Sequence, residues 1–213
     1  IKKKIDYKKR EKLLYKLLDK HRGKYGKYDC IVPGSGGKDS CYAAHLLKYK
    51  YGMSPLTVTW PPILPTKYGK DNFTNWLKSG NFRNISAKRD KRTTQILTRL
   101  AVLNLLHPFQ SFILGQKNFP IKTALNYEIP LVFYGENEAE HGNPISDNNS
   151  SLKKKSEYTF DNLEEIYLGG ESFDNLIKKF DLDFKNLKTY LPPTKKELGK
   201  FPLEIHYFGY YEK

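Results

Sequence analysis

Cysteine is almost missing from this chain: 213 residues hold two, Cys30 and Cys41, with no C-x-x-C spacing. That excludes a disulfide framework and a four-cysteine zinc site, and leaves two buried thiols in a reducing compartment. No apolar run approaches the ~18 residues needed to cross a bilayer. No charged-then-apolar leader opens the chain, so a cytoplasmic protein with no membrane partner is expected. Acidic residues are also short, 23 against 37 Lys and Arg, for a net charge of +14. The excess is local: residues 1–27 carry a net +9 and the rest only +5. A basic stripe around a site, as nucleic-acid binding would need, is missing; the arm is a solvated helix face or a docking surface for an acidic partner. The chain opens on Ile1 rather than Met and stops on an aromatic stretch, so the natural protein is expected to extend at both ends.

What is present is a regular alternation. Leu13, Leu14, Leu17 and Leu18 recur at helical spacing among lysines, which predicts an amphipathic helix over residues 6–22. Tyr28–Pro33 reads as a strand, Ser40–Lys50 as a helix, and β-branched Leu56–Trp60 as a second strand. Helix signals follow at 71–78, 93–106 and 120–127, and strand signals at 84–86, 111–114 and 130–134. Strands alternating with helices predict a doubly wound, five-stranded parallel sheet in an α/β fold, with an N-terminal helix and a C-terminal appendage. The expected divisions are a basic helix over 1–27, a nucleotide-binding domain over 28–145 and a C-terminal substrate or partner region over 146–213. Residues 143–157 are polar and turn-rich, and an exposed loop is expected there. Residues 173–180 have a helical pattern.

The segment with the most chemistry is Gly34–Ser40, G-S-G-G-K-D-S, between a strand and a helix. A Walker A loop would need Gly where Val32 stands and Ser or Thr where Asp39 stands. A dinucleotide fingerprint would need Gly in place of Asp39. Gly36 and Gly37 permit close approach of phosphate oxygens to backbone amides, and a following helix N-terminus completes an anion nest. That dipole contributes only about 0.3–2 kcal/mol, so the hydroxyls of Ser35 and Ser40 and the charge of Lys38 are expected to add to it. A carboxylate beside polyphosphate repels it unless a cation intervenes, which makes Asp39 a candidate Mg²⁺ ligand.

The S-G-G-x-D-S pattern resembles the pyrophosphate loop of the PP-loop synthetases, whose fold is adenine nucleotide alpha hydrolase-like. Four further stretches carry a narrower resemblance: Y-D-C-I-V-P before the loop, L-T-V-T-W at 56–60, F-Q-S-F-I-L-G-Q-K-N at 109–118, and V-F-Y-G-E-N-E-A-E-H-G-N-P at 132–144. Over residues 28–145 the chain resembles the N-acetyl sugar amidotransferases of bacterial surface-sugar biosynthesis, associated with O-antigen and with pseudaminic- and legionaminic-type sugars. Family members carry cysteine pairs before the N-terminal helix, and this chain has none.

That resemblance implies an ATP- and Mg²⁺-dependent amidotransferase that adenylates the N-acetyl carbonyl oxygen of a sugar or nucleotide sugar. Ammonia from a separate glutaminase-type partner would then displace AMP. By the resemblance, Ser35, Gly36, Gly37, Lys38, Asp39 and Ser40 grip the phosphates, Thr59 and Trp60 lie against the nucleoside, and Gly115, Gln116 and Lys117 form a second nucleotide contact. Lys38, Asp39 and Lys117 are the expected catalytic residues. Glu136, Asn137 and Glu138 are expected to hold the acceptor, a second Mg²⁺ or the incoming ammonia. His141, His107 and His45 read as structural. Two other readings stay open: a PP-loop tRNA-modifying enzyme that uses the basic arm, and a non-catalytic nucleotide-binding subunit.

Overall fold

A computed structural model describes residues 5–136, 150–154 and 158–212. Helix α1 (Tyr7–His21) opens on Asp6, whose carboxylate accepts from the Lys9 amide at 3.0 Å, and it buries Leu14 and Leu18 completely. Five strands then form one sheet: β1 (Cys30–Pro33), β2 (Pro55–Thr59), β3 (Asn84–Ser86), β4 (Leu131–Tyr134) and β7 (Glu204–Tyr207). Their order is β3-β2-β1-β4-β7 and every pairing is parallel.

Side-chain alternation along the strands separates the two faces. Cys30, Val32, Leu131 and Phe133 face α1, α2 (Lys38–Tyr49) and Trp76 of α3 (Lys67–Ser79). Ile31, Val132, Leu56 and Val58 face Ile121 and Ala124 of α5 (Gln110–Asn126), with Leu198, Leu203 and Ile205 from the C-terminal third. Both faces are covered, so the sheet is doubly wound, as the alternation predicts. A third cluster joins Trp60 and α4 (Lys91–Leu105) to Leu176 of α6 (Phe173–Lys178), Leu187 of α7 (Phe184–Lys188) and Tyr190. The helix expected over 173–180 is α6. Before it lies a two-residue antiparallel hairpin, β5 (Tyr167–Leu168) with β6 (Glu171–Ser172), and after α7 comes α8 (Lys195–Leu198).

The sheet has the expected five strands but not the expected members. Ser111–Leu114, expected as the fourth strand, lies inside α5. A short apolar run of this kind suits a buried helix as well as a strand, and Pro120, expected to start a helix, stands in the middle of one. The fifth strand is β7, from the segment expected to form an appendage. Its aromatic residues fold back on the body: Phe208 is 1% exposed and Tyr211 4% exposed, both against Phe133. The free edge of β4 would otherwise present unpaired backbone groups and an uncovered apolar face. Residues on both sides of position 146 thus share the same cores.

Candidate active site

The glycine-rich loop leaves β1 and turns directly into α2. Gly36 has φ +91°, and a Cβ there would sit 2.7 Å from the backbone of Phe73 in α3, so only glycine fits. The Gly34 amide donates to Val58 O at 3.0 Å, and the Thr59 hydroxyl donates to Gly34 O at 2.7 Å. The loop is therefore tied to the end of β2. Gly37 is the N-cap of α2 and supplies no side-chain cap. The amides of Lys38, Asp39 and Ser40 have no acceptor within the helix, and a Cβ at Gly37 would meet nothing within 4 Å. This is an open helix start that faces space.

That space is a cavity of about 590 Å³. Pro33, Val58, Tyr134 and Tyr207 line it, each the last or next-to-last residue of β1, β2, β4 or β7. In open α/β sheets, ligands bind at the carboxyl ends of the strands, where the order reverses; here β1 sits between β2 and β4. Gly34, Ser35, Gly37 and Ser40 form the loop side of the wall, and Gln116, Lys117 and Pro120 of α5 face them. Gly135 closes β4 against the first turn of α2: a Cβ there would lie 2.5 Å from the Asp39 carbonyl carbon.

The expected site residues divide into three groups. Ser35, Gly37, Ser40, Trp60, Gln116, Lys117 and Glu136 line the cavity. Gly36, Lys38, Asp39, Thr59 and Gly115 do not. Lys38 is exposed, Asp39 is half-buried in the first turn of α2, and Thr59 is buried beneath the loop it holds. Gly115 is mid-helix rather than at a strand tip, and it makes room for Trp60, whose ring would meet a Cβ there at 2.0 Å. Asn137, Glu138 and His141 lie outside the described residues. Trp60 itself is 3% exposed and packed against Phe119 and Tyr190, so it offers the cavity an edge rather than an open ring face. Its indole N–H has no partner among the described residues.

Three wall residues take no role from the sequence: Tyr134, inside the stretch at 132–144, and Tyr207 and Lys153, outside every motif. The Tyr134 hydroxyl lies 3.1 Å from Lys117 O and 3.5 Å from Gln116 O. Pro120 has no N–H to give to Gln116 O, so Tyr134 supplies a donor where the helix lacks one. Lys153 comes from the polar segment expected to be exposed, yet it is only 9% exposed.

Among the described residues no three His, Cys, Asp or Glu side chains gather as a metal cage. Mg²⁺ that arrives with a nucleotide needs no such cage; one or two carboxylates plus phosphate oxygens and water hold it. Asp39, in the first turn of α2, and Glu136, on the cavity wall, are carboxylates of the type that donor set uses. Burial raises the pKa of both thiols, Cys30 and Cys41, which disfavours the thiolate form at each. No helix among the described residues is long and apolar enough to cross a membrane.

No family model matches the sequence, and no curated protein does either. Solved structures similar to it at low identity include two synthetases. One is an NH3-dependent NAD synthetase from Campylobacter jejuni subsp. jejuni NCTC 11168 in complex with the nitrate ion, 16% identical, with 87% of this chain and 78% of that chain covered and a TM-score of 0.45. The other is the NMN synthetase from Francisella tularensis, also 16% identical, with 92% and 82% covered and a TM-score of 0.44.

Proposed function

We propose that this chain is an AMP-forming, ATP-dependent amidotransferase of the PP-loop type, acting on the N-acetyl group of a sugar or nucleotide sugar. The observation that carries this reading is the open start of α2, whose first three amides have no acceptor within the helix, beside a cavity at the carboxyl ends of parallel strands. The β and γ phosphates of ATP rest on the amides of residues 38–40 and on the hydroxyls of Ser35 and Ser40. Bound Mg²⁺ supplies charge neutralisation and orientation to the phosphates, with Asp39 and Glu136 as its protein ligands. Lys117 faces the α phosphate from α5 and stabilises charge that develops there.

An N-acetyl amide resists ammonia because its oxygen is a poor leaving group. Attack by that oxygen on the α phosphorus expels pyrophosphate and leaves an O-adenylated imidate. Ammonia then adds to carbon, AMP departs and an acetamidino group remains, with two protons released over the two steps. The ammonia comes from a separate glutaminase-type partner, since this chain has no activated thiol.

The test is a product assay. The full-length protein, ATP, Mg²⁺ and ammonium, offered a panel of N-acetylated sugars and sugar nucleotides, releases AMP and pyrophosphate in step with amidine formation. Release of ADP and inorganic phosphate instead would overturn adenylation.

A further inference from the structure

Exposed apolar side chains gather at the elbow between α4 and α5. Val102 and Leu103 in the last turn of α4 are 46% and 63% exposed, and Leu106 just after it is 89% exposed. Phe109 and Ile113 at the start of α5 are 55% and 41% exposed. Helical spacing puts 102 with 106, and 109 with 113, on common faces, and the two helices pack against each other. Together these five side chains expose on the order of 500 Å² of apolar surface, near the upper limit for a monomer and more than half of the ~800 Å² that one partner buries in a standard interface. Leu106 is also strained. It closes α4 in the left-handed region, φ +60°, where glycine is the usual residue and a Cβ is crowded. A leucine so exposed offsets none of that strain within its own chain.

The charge pattern points to the occupant. Between Arg99 and Lys117 the chain has no Asp, Glu, Lys or Arg, although 28% of its residues are charged and its net charge is +14. An acidic partner would find no counter-charge in this stretch. Two copies of a strongly basic chain repel each other, least where they meet through an uncharged surface. A twofold contact sets each residue near the axis against its own equivalent, so a charge there would face the same sign. Homodimer interfaces are accordingly more apolar than others, with charge depleted at the core. We propose that the α4–α5 elbow seats the same elbow of a second copy of this chain, with Leu103 and Leu106 near the twofold axis. The connecting loop is held in shape for this: the Phe109 amide donates to His107 Nδ1 at 3.2 Å, and the two rings stack. Ile113 also lines the cavity, so the contact borders it. The inference does not rest on the reaction proposed above.

The test is sedimentation equilibrium of the chain over roughly 1 to 100 µM. The wild type should reach twice 24.8 kDa at the upper end and dissociate on dilution. Two variants are then compared with it. Leu103→Lys keeps a good helix former and suits the C-terminal end of the α4 dipole, but brings like charges together. Leu106→Gly suits the left-handed cap and removes the apolar contact. Each should raise the dimer dissociation constant at least about tenfold, since every change counts twice across the axis. In dilute solution, where the chain is a single copy, Leu106→Gly should unfold at the same urea concentration as the wild type or a higher one, because strain is relieved and no packing is lost. A wild type that stays monomeric at the highest concentration overturns the inference and leaves the elbow to a different protein. A dimer that either variant leaves intact overturns it as well, by putting the contact on another face. So does Leu106→Gly lowering the midpoint of the dilute chain, which would show that the leucine serves its own fold.

Discussion

At the scale of single residues, the site depends on backbones that approach too closely for a side chain. Gly135→Ala would place a Cβ 2.5 Å from the Asp39 carbonyl carbon and 2.7 Å from the Ser40 amide nitrogen. Both are backbone atoms of the first turn of α2, so the turn itself has to shift. We expect a loss of about 1–3 kcal/mol in chemical denaturation, as for other overpacked sites, and at least a tenfold fall in ATP affinity by titration. Unchanged ATP affinity would mean that the α2 start is not the phosphate site. Asp39→Asn tests a different property, since it keeps shape and removes charge. It should abolish Mg²⁺-dependent AMP formation while leaving the unfolding midpoint where it was; near wild-type AMP production would remove Asp39 from the metal role. The glycines and hydroxyls of this loop are legible in the sequence because each needs a specific residue type at a specific spacing. Lys153 is not legible: in the run S-L-K-K-K it looks like its neighbours, and only the pairing with β7 singles it out.

At the scale of elements, α5 is the instructive case. Its apolar start, Ser111–Leu114, resembles a strand, and Pro120 resembles a helix start, because both patterns are read over a few residues without their neighbours. In the fold, the Tyr134 hydroxyl from β4 reaches Gln116 O, the carbonyl that Pro120 leaves without a helical donor, as well as Lys117 O, and the helix continues through the proline. Removing that hydroxyl with Tyr134→Phe should therefore cost about 1 kcal/mol in urea unfolding. In a Pro120→Ala background, residue 120 regains its N–H, and the same change should cost measurably less. Additive effects in this double-mutant cycle would show that the hydroxyl does not stand in for the missing donor.

At the scale of the whole molecule, α1 and β7 meet over buried histidines. His206 is 6% exposed, and its pKa is pushed down to about 4, chiefly by burial, with Glu204 opposing that shift. His21 is 1% exposed and is lowered for the same principal reason. Glu204 lies between them, within 3.5 Å of His206 Nε2 and 3.8 Å of His21 Nε2, and pairs with Lys20; the Tyr211 hydroxyl meets His206 Nδ1 at 2.9 Å. Above the unfolded pKa near 6.5 both states are neutral at His206 and its contribution to stability is complete. As pH falls from 6.5 towards 4 the unfolded chain takes up a proton that the folded chain refuses, so stability declines across that window. The loss is at most about 3 kcal/mol for His206, and His21 shifts in the same direction. The pKa of Glu204 is lowered overall, because its contacts with Lys20 and the histidines outweigh burial, so it too loses stability on acidification. Denaturation curves at pH 7 and pH 5 should differ accordingly, and His206→Gln should flatten the difference. A pH-independent midpoint would contradict the buried, neutral state.

What the sequence alone determined is local: helix and strand alternation, the glycine-rich turn between β1 and α2, and the chemistry that this turn allows. Each depends on neighbours a few residues away and on periods that apolar residues must keep. What only the tertiary structure decided is long-range. The fifth strand comes from residues 204–207 because β4 has an edge to pair and an apolar face to cover. Gln116 and Lys117 reach the cavity from a helix because α5 packs across β1 and β2. Lys153 reaches it because backbone pairing with β7 sets the side-chain direction, and that pairing spans more than fifty residues of chain, beyond the reach of any local pattern.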